Sequence, residues 1–432
     1  IMSSTGTTNK ETDVVSALAS AIGTIPAIQQ VREDCYNYLQ QSGMPGLRHE
    51  EYRNTPLTKA LEKFDLSRAR SHGTVGAVTT DYVVPELDAW SLVFVNGLPD
   101  EAQSSAALLP GISIRPLQGA LESGEGLVYF AKIANPKKDA FVAWNTVGWD
   151  NGAYIEVKDN TIVDKPIIIY HVTDALEGPV VTISRNMIVV GRNCELTFIQ
   201  KFSSQGTHPR FVSSVTEAVV NENSGLTIYS FQDDAGEHHQ FNHTQVLQKD
   251  ATRVNTFVFT LNGKTIRNNL ELSLDGERCE SHMFGLYLLK GDTLADNHTV
   301  ADHLKPNSFS NELYKGVLDD RARGVFNGKI YVRPNAQRTN AFQSNRNILL
   351  TDTAKVNTKP QLEIWADDVK CSHGCTTGQL DEEALFYLQT RGIPKSVARA
   401  MLLYAFAGEL IEAIKVPALK LYLEKIVSRR LQ

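Results

Sequence analysis

One short segment near the C-terminus, residues 369–378 (VKCSHGCTTG), carries three side chains that can bind a soft metal: Cys371, His373 and Cys375. In an extended segment these alternate residues face the same side. They would start roughly 7 Å apart along the strand, whereas two ligands of one tetrahedral metal lie only about 4 Å apart. The spacing therefore indicates an incomplete site whose other ligands come from elsewhere, and an end of a strand with incidental thiols is the alternative.

The other candidate motifs do not reach a catalytic pattern. The GKT at residues 263–265 lacks the glycine that a phosphate-binding loop needs five residues earlier, because residue 258 is valine. The histidines 238, 239, 243, 298 and 303 have no acidic partner at a zinc-protease spacing, so structural roles are favoured. We find no dinucleotide fingerprint and no Gly-x-Ser-x-Gly motif. The sequence predicts a protein that is not an enzyme.

Composition narrows the class of protein. The 432 residues include 43 basic and 49 acidic side chains, a formal net charge of −6, which argues against nucleic-acid binding. No apolar run has the length of a membrane span, and residues 1–13 lack the features of a signal peptide. The five cysteines are scattered and odd in number, which predicts free thiols, a cytoplasmic location and no membrane contact.

The pattern of apolar residues divides the chain into four parts. Residues 1–11 are expected to be disordered, and 12–120 to form a helical and mixed N-terminal domain, helical over 12–65 with a break at Pro26 and an end at Gly43. Residues 121–378 contain short β-branched and aromatic runs such as GLVYFAKI, PIIIYHV and NTFVFTLNG, with no helix expected between 125 and 375.

The number of predicted strands limits the architecture of this middle part. Open sheets rarely exceed about 10 strands, so a coil of strands in which each turn covers the next is the economical solution. Two stacked sandwiches are the alternative. The ends of such a coil expose unpaired backbone groups that a cap or a partner must cover.

Residues 379–432 are predicted to form a C-terminal helical domain. Asp381 is a suitable N-cap and Gly392 a stop signal, and residues 395–411 are apolar around much of the helix. A surface helix needs only one apolar stripe. This helix therefore packs on its neighbours or on another chain, and the sequence leaves both readings open.

The C-terminal third resembles the SufB/SufD family of iron–sulfur cluster assembly proteins. The motifs YKGV, GKI, AQ, NILL, KPQLEI, DDVKCSHG and LFYLQTRGI follow the order and spacing of that family over residues 295–410. The stretch GMPGLRHEEYRNTPL is similar to its N-terminal motif but departs from it at residues 52–54. The residues after CSHG are closer to the SufD branch than to the SufB branch.

The resemblance implies a fold and a set of partners. The fold is mainly β, a right-handed parallel β-helix flanked by N-terminal and C-terminal α-helical segments. The protein would be a scaffold that pairs with a SufB-like subunit through the β-helix ends and that docks a SufC-like ABC ATPase on its C-terminal helices. It would hold no stable cofactor alone, only a transient iron–sulfur cluster or iron in the complex. The exposed end could also pair two copies of the isolated chain as a homodimer.

The resemblance also assigns candidate site residues. His373 matches a family histidine that faces a SufB cysteine across the interface, and Cys371 matches a position of less clear role. Cys375 stands where the family usually has alanine, so no ligand role is transferred to it. Asp367 or Asp368 is a candidate hydrogen-bond partner for His373. The candidate ATPase-docking residues are Phe386, Tyr387, Leu388, Arg391, Gly392, Met401, Tyr404 and Phe406.

Two alternative functions remain open. A β-helix interaction protein without any metal would use the same exposed end. A polysaccharide-active β-helix enzyme would need an acid–base pair in an outer groove, and the sequence has no cluster of paired acids to supply it.

Overall fold

A computed structural model describes residues 14–66, 80–105 and 110–431, and its centre is a parallel β-helix. The chain runs alternately through two sheets, so that each turn contributes one strand to each, and about eight turns stack in all. This confirms the predicted coil of strands and excludes two stacked sandwiches. The predicted disorder of residues 1–11 lies outside the described residues.

The first sheet, sheet A, has ten strands in the order β19-β17-β15-β13-β11-β9-β7-β5-β1-β2. Its pairs are parallel except β1–β2. The strands are β1 Trp90–Val95, β2 Leu98–Pro99, β5 Ile167–Ala175, β7 Glu195–Gly206, β9 Gly225–Asp233, β11 Arg253–Asn262, β13 Glu280–Leu289, β15 Phe309–Leu318, β17 Thr339–Leu349 and β19 Val369–Gly378.

The second sheet, sheet B, has nine strands in the order β18-β16-β14-β12-β10-β8-β6-β4-β3. Only its β3–β4 pair is antiparallel. The strands are β3 Ile112–Pro116, β4 Ala153–Val157, β6 Val180–Val190, β8 Arg210–Val220, β10 His238–Gln248, β12 Thr265–Leu274, β14 Leu294–His303, β16 Arg323–Val332 and β18 Lys355–Ile364. Strands β1 and β3 join the coil although they lie in the range assigned to the N-terminal domain, and the predicted domain boundaries stay a prediction.

One left-handed residue marks each of seven successive corners where the chain passes from sheet B to sheet A, from the β4–β5 corner to the β16–β17 corner. These residues are Asn160, Asn193, Asn223, Ala251, Arg278, Asn307 and Arg338, between 27 (251 to 278) and 33 (160 to 193) residues apart. The first three stack as a ladder in which the Asn193 side-chain amide donates to Asn160 and that of Asn223 to Asn193, each at 2.8 Å. Asparagine tolerates this backbone conformation better than most residues. This recurrence is a repeat signal that the sequence analysis did not recognise.

Seven α-helices among the described residues flank the coil: α1 Gln29–Ser42, α2 Leu57–Leu61, α3 Leu117–Glu122, α4 Ala140–Gly148, α5 Glu382–Thr390, α6 Lys395–Glu412 and α7 Pro417–Leu431. Short 3₁₀ turns cover Ala19–Thr24, Pro26–Ile28, Glu50–Tyr52 and Thr80–Tyr82. The predicted break at Pro26, the helix end at Gly43 and the N-cap at Asp381 are confirmed.

The hydrophobic residues form three layers. One fills the inside of the coil. The second lies between the N-terminal helices and the outer face of sheet B, with α4 at its centre. The third lies between α6 and α7 and the outer face of sheet A. Helices therefore cover the outer faces of both sheets. The last turn of the coil, β18 and β19, contains the site described below.

The prediction of strands without helices from residue 125 onward was wrong near its start. GLVYFAKI, residues 126–133, forms turns, and residues 140–148 form helix α4. The Asp139 side chain caps this helix by accepting from the backbone N–H groups of Phe141 and Val142. Because residues 141–148 of this helix are all buried, burial of its Phe, Val and Trp side chains outweighs their weak helix propensity.

A buried ion pair joins sheet B to the helices above it. Arg185 on β6 donates from Nε and Nη2 to Glu217 Oε2 on β8, at 3.1 and 2.9 Å, and both side chains are fully buried. Glu217 also accepts from the backbone N–H groups of Ala131 and Ala134. The pair therefore fixes the 126–134 turn segment as well as the sheet.

No single helix among residues 14–66, 80–105 and 110–431 is long and apolar enough to cross a membrane. The segments Val14–Thr24 and Pro26–Ser42 together have the length and apolar composition of a membrane span, but the chain bends by 119° between them.

Candidate functional site

Strand β19, which contains Cys371, His373 and Cys375, is the last strand of sheet A. Among the residues that the structure describes it pairs only with β17, in the register Ala341–Cys371, Gln343–His373 and Asn345–Cys375. Strand β18 is likewise the last strand of sheet B. The coil therefore ends in two strand edges with unpaired backbone groups, and the predicted extended conformation of this segment is confirmed.

The three candidate donors share the inner face of β19. Cys371 is half-buried against the apolar interior of the coil. His373 and Cys375 are exposed, and Cys375 Sγ lies 3.3 Å from Thr358 Oγ1 on β18, across the end of the coil. Burial raises the pKa of the Cys371 thiol, so a partner cation or metal is needed to make it a thiolate.

The geometry of the site does not bring a full ligand set together. Within the described ranges no group of three or more His, Cys, Asp or Glu side chains is placed to hold a metal ion. The suggested partnership of Asp367 or Asp368 with His373 is wrong, because both residues precede β19, five or more residues before His373, and the Asp368 carboxylate lies 3.8 Å from Arg338. Five residues of strand span about 16 Å.

Two polar residues missed by the sequence analysis lie directly behind His373. Glu312 on β15 and Gln343 on β17 are in register with His373, so the three side chains form a column on the inner face of sheet A. Glu312 and Gln343 are buried, and Gln343 Nε2 donates to Glu312 Oε2 at 2.7 Å. Burial raises the pKa of Glu312 to about 7. The YKGV motif lies next to Glu312 in the sequence but does not reveal this column, because the register between strands decides which side chains lie behind His373.

The C-terminal helices expose apolar side chains on one side and bury them on the other. Leu403, Ala407, Leu410 and Ile411 of α6 pack on sheet A, whereas Phe386, Tyr387, Val397 and Met401 are 67, 57, 48 and 48% exposed. A groove of 540 Å³ runs between α6 and the end of α7, lined by Ser396, Val397, Ala400, Met401, Tyr404, Ser428 and Leu431. Both interpretations of the apolar helix therefore apply: one face of α6 packs on its neighbours, and the other face is exposed to a possible partner chain.

The predicted docking residues are not all equally accessible. Arg391 and Gly392 are exposed, and Leu388 is half-buried. Tyr404 and Phe406 pack partly against the core of sheet A, and the ring of Phe406 lies 4.8 Å from Lys315 Nζ. Phe386, Tyr387 and Met401 are the large side chains best placed to meet another protein.

Two family models match the chain. The model described as SUF system FeS cluster assembly, SufBD core domain, matches residues 171–406. The model described as SufBD protein N-terminal region matches residues 16–169. The chain belongs to the SufBD family of iron–sulfur cluster assembly proteins. The resemblance stated from the sequence motifs is confirmed.

Three relatives show how much of the chain the SufBD family likeness covers. A SufBD family protein of Synechocystis is 30% identical over 98% of this chain and 95% of its own length. The iron–sulfur cluster assembly protein SufD of Escherichia coli is 30% identical over 91% of this chain and 90% of its own. The chloroplastic protein ABCI7 of Arabidopsis thaliana is 26% identical over 92% and 84%. The chain is thus a SufD-like member of the family.

The N-terminal motif of this SufBD protein is an anchor on the coil. Glu51 bonds Lys329 Nζ at 2.8 Å and lies 3.1 Å from His298 Nδ1. The hydrogen bond from His298 holds the pKa of Glu51 well below its usual range. Tyr52 donates to Asp139 at 2.6 Å. His298 therefore has the structural role that was expected of it.

Four of the other histidines considered in the sequence analysis, and two cysteines, are buried in the coil. His238, His239, His243 and His303 lie inside strands with less than a tenth of their surface exposed. Cys194 and Cys279 are buried at corners of the coil, where each thiol donates to backbone carbonyls. All five cysteines are free.

Proposed function

We propose that this chain is the SufD-like scaffold subunit of a SufBCD complex and contributes to a cluster-assembly site shared with a SufB-like subunit. The observation that carries the proposal is the exposed end of the coil, where His373 stands on an edge strand with Cys371 beside it and without a full ligand set. Iron–sulfur clusters take thiolates, with histidine as an occasional substitute. The missing thiolates would come from the partner.

The backbone at this end favours a partner with strands. The edges of β18 and β19 present unpaired N–H and C=O groups, and such edges bind added strands. A second β-helix placed end to end would continue both sheets and bring its own side chains opposite His373. A second copy of this chain could occupy the same edge, and we expect that homodimer only when the SufB-like subunit is absent.

Anaerobic reconstitution with ferrous iron and sulfide tests the shared site. The isolated chain should bind less than one cluster per molecule, because it lacks a full ligand set, whereas the chain with its SufB-like partner should bind a stoichiometric cluster. Iron and sulfide analysis and the visible absorption spectrum measure both. A complete cluster on this chain alone would contradict the proposal, and the absence of any cluster even with the partner would favour the metal-free interaction protein.

We propose further that the SufC-like ATPase docks on the exposed side of α5 and α6. The surface offers aromatic and Met side chains beside a groove, the residue types that carry most binding energy at interfaces. This supports Phe386, Tyr387 and Met401 as the central contacts, with Arg391 stacked 5.1 Å over the Tyr387 ring. Leu388, Gly392, Tyr404 and Phe406 would shape the surface from behind.

Met401→Asp should weaken ATPase binding by about tenfold or more, because it places a charge at the centre of the apolar surface. Leu421→Asp is the matched control, since Leu421 on α7 is also apolar and 41% exposed but lies outside the groove. Calorimetric titration with the ATPase measures both. Equal weakening by the two variants, or none by Met401→Asp, would contradict this docking surface.

A scaffold role agrees with a sequence in which we find no catalytic motif. The ATPase would be a separate polypeptide, in agreement with the failed phosphate-loop pattern at residues 263–265. The five free thiols support a reducing compartment, and we place the complex in the cytoplasm.

A further inference from the structure

A cavity of 350 Å³ lies where the C-terminal ends of three strands of sheet A meet helices α6 and α7. The strands are β13, β15 and β17, and the helical wall comes from the start of α6 and the end of α7. Half of its lining is apolar, made of leucines and one valine. The cavity shares Ser396 and Leu431 with the groove between α6 and α7, so it adjoins the surface on which we place the ATPase.

The charged side chains that line this cavity are mostly cationic. Four are basic and one is acidic, a net charge of +3: Lys290, Lys395, Arg399, Arg430 and Asp319. The whole chain has a formal net charge of −6. The cavity therefore has the opposite sign to the protein that carries it, and we call it the basic cavity.

The nearby carboxylates leave most of this positive charge unpaired. Asp319 lies 3.7 Å from Arg399 Nη2, and Asp233, which is outside the lining, lies 3.9 Å from Arg430 Nη1. Both distances are longer than a hydrogen bond. The two arginines can therefore bind a further carboxylate without breaking a strong ion pair.

The two lysines and the start of α6 add unpaired positive charge. Lys290 and Lys395 are exposed, and within the described ranges neither side chain has an ion-pair or hydrogen-bond partner. Pro394 is the N-cap of α6 and gives no side-chain cap. The partial positive charge of this helix N-terminus therefore has the same sign as the side chains around it.

We propose that the basic cavity receives an acidic segment of the SufC-like ATPase, next to the apolar contacts of the groove. A Glu or Asp side chain beside an apolar residue matches both parts of the lining, the cations and the leucines. Complementary charge at the rim of an interface mainly raises the association rate and favours the correct partner. The inference rests on the proposed docking of the ATPase on α5 and α6 and names the chemistry that the partner must present there.

Lys395→Glu should lower the rate constant for association with the ATPase about fivefold or more at low salt, because it reverses a charge at the mouth of the basic cavity. An acidic residue in the first turn of a helix is stabilising, so this variant should fold. Biolayer interferometry with the full-length chain at about 0.05 M and about 0.5 M salt measures the rates, and the difference from wild type should shrink at the higher concentration. Lys290→Glu should act in the same direction.

Lys158→Glu is the matched control. Lys158 is exposed directly after β4, toward the other end of the coil, and its reversal should leave both rates as in the wild type. Equal association rates for Lys395→Glu and Lys158→Glu at both salt concentrations would overturn the basic cavity and leave the docking surface in place. No binding of the ATPase by the wild-type chain would contradict both.

Inorganic phosphate separates a partner segment from a free anion. Calorimetric titration of the isolated wild-type chain with phosphate should show no binding that Lys395→Glu removes. Phosphate binding that this variant abolishes would identify a free anion as the occupant and overturn the inference. Met401→Asp should instead raise the dissociation rate of the ATPase, since it acts on the apolar contacts.

Discussion

His373→Ala should lower the yield of iron–sulfur cluster about tenfold or more in a reconstituted mixture of this chain, a SufB-like subunit and a SufC-like ATPase. The imidazole is exposed on an edge strand, so its loss removes a ligand without disturbing packing. Loss of one ligand or its support commonly lowers metal affinity by 10–100-fold. Cluster yield is measured by absorbance and by iron and sulfide content after anaerobic assembly.

A control and a second variant make the His373 experiment specific. His208 is an exposed histidine in the turn before β8, and His208→Ala should assemble clusters like the wild type. Cys371→Ser should have a smaller effect than His373→Ala, because the Cys371 thiol is half-buried and its pKa is raised. Full cluster yield from His373→Ala would remove this chain from the ligand set while leaving its family membership intact.

Glu217→Ala should lower the free energy of unfolding by about 3–5 kcal/mol, the usual effect of removing one partner of a buried ion pair. Arg185 would remain buried and charged with its main acceptor gone, and Ala131 and Ala134 would lose the carboxylate that accepts from their N–H groups. Denaturant unfolding followed by circular dichroism measures the change, with the helical and strand signals compared to check that the coil unfolds as one unit.

Two further variants separate charge burial from a general loss of packing. Arg185→Met with Glu217→Leu removes both charges and should recover much of the loss, because paired burial of charges is expensive in itself. Asp292→Ala breaks the exposed Arg321–Asp292 pair and should leave stability nearly unchanged. A Glu217→Ala protein as stable as the wild type would mean that Arg185 finds another acceptor or water.

The fold could be predicted because local sequence patterns determine most of its strands and helices. Short β-branched runs, turn residues between them and helical patterns at both ends are each decided by nearby residues. Asp381, Gly43 and Pro26 acted as the sequence indicated. The exception was α4, whose Phe, Val and Trp side chains resemble a strand and become helical because sheet B buries them.

The sequence by itself determined the coil, its helical covers and the extended segment that presents Cys371 and His373. Only the tertiary structure decided which distant residues meet: Glu312 and Gln343 behind His373, Arg185 with Glu217, and Met401 exposed while Leu403 is buried. The physical reason is the register between turns. Each turn has its own length, so a residue's neighbour on the next strand is set by the whole turn between them and by the packing that closes it.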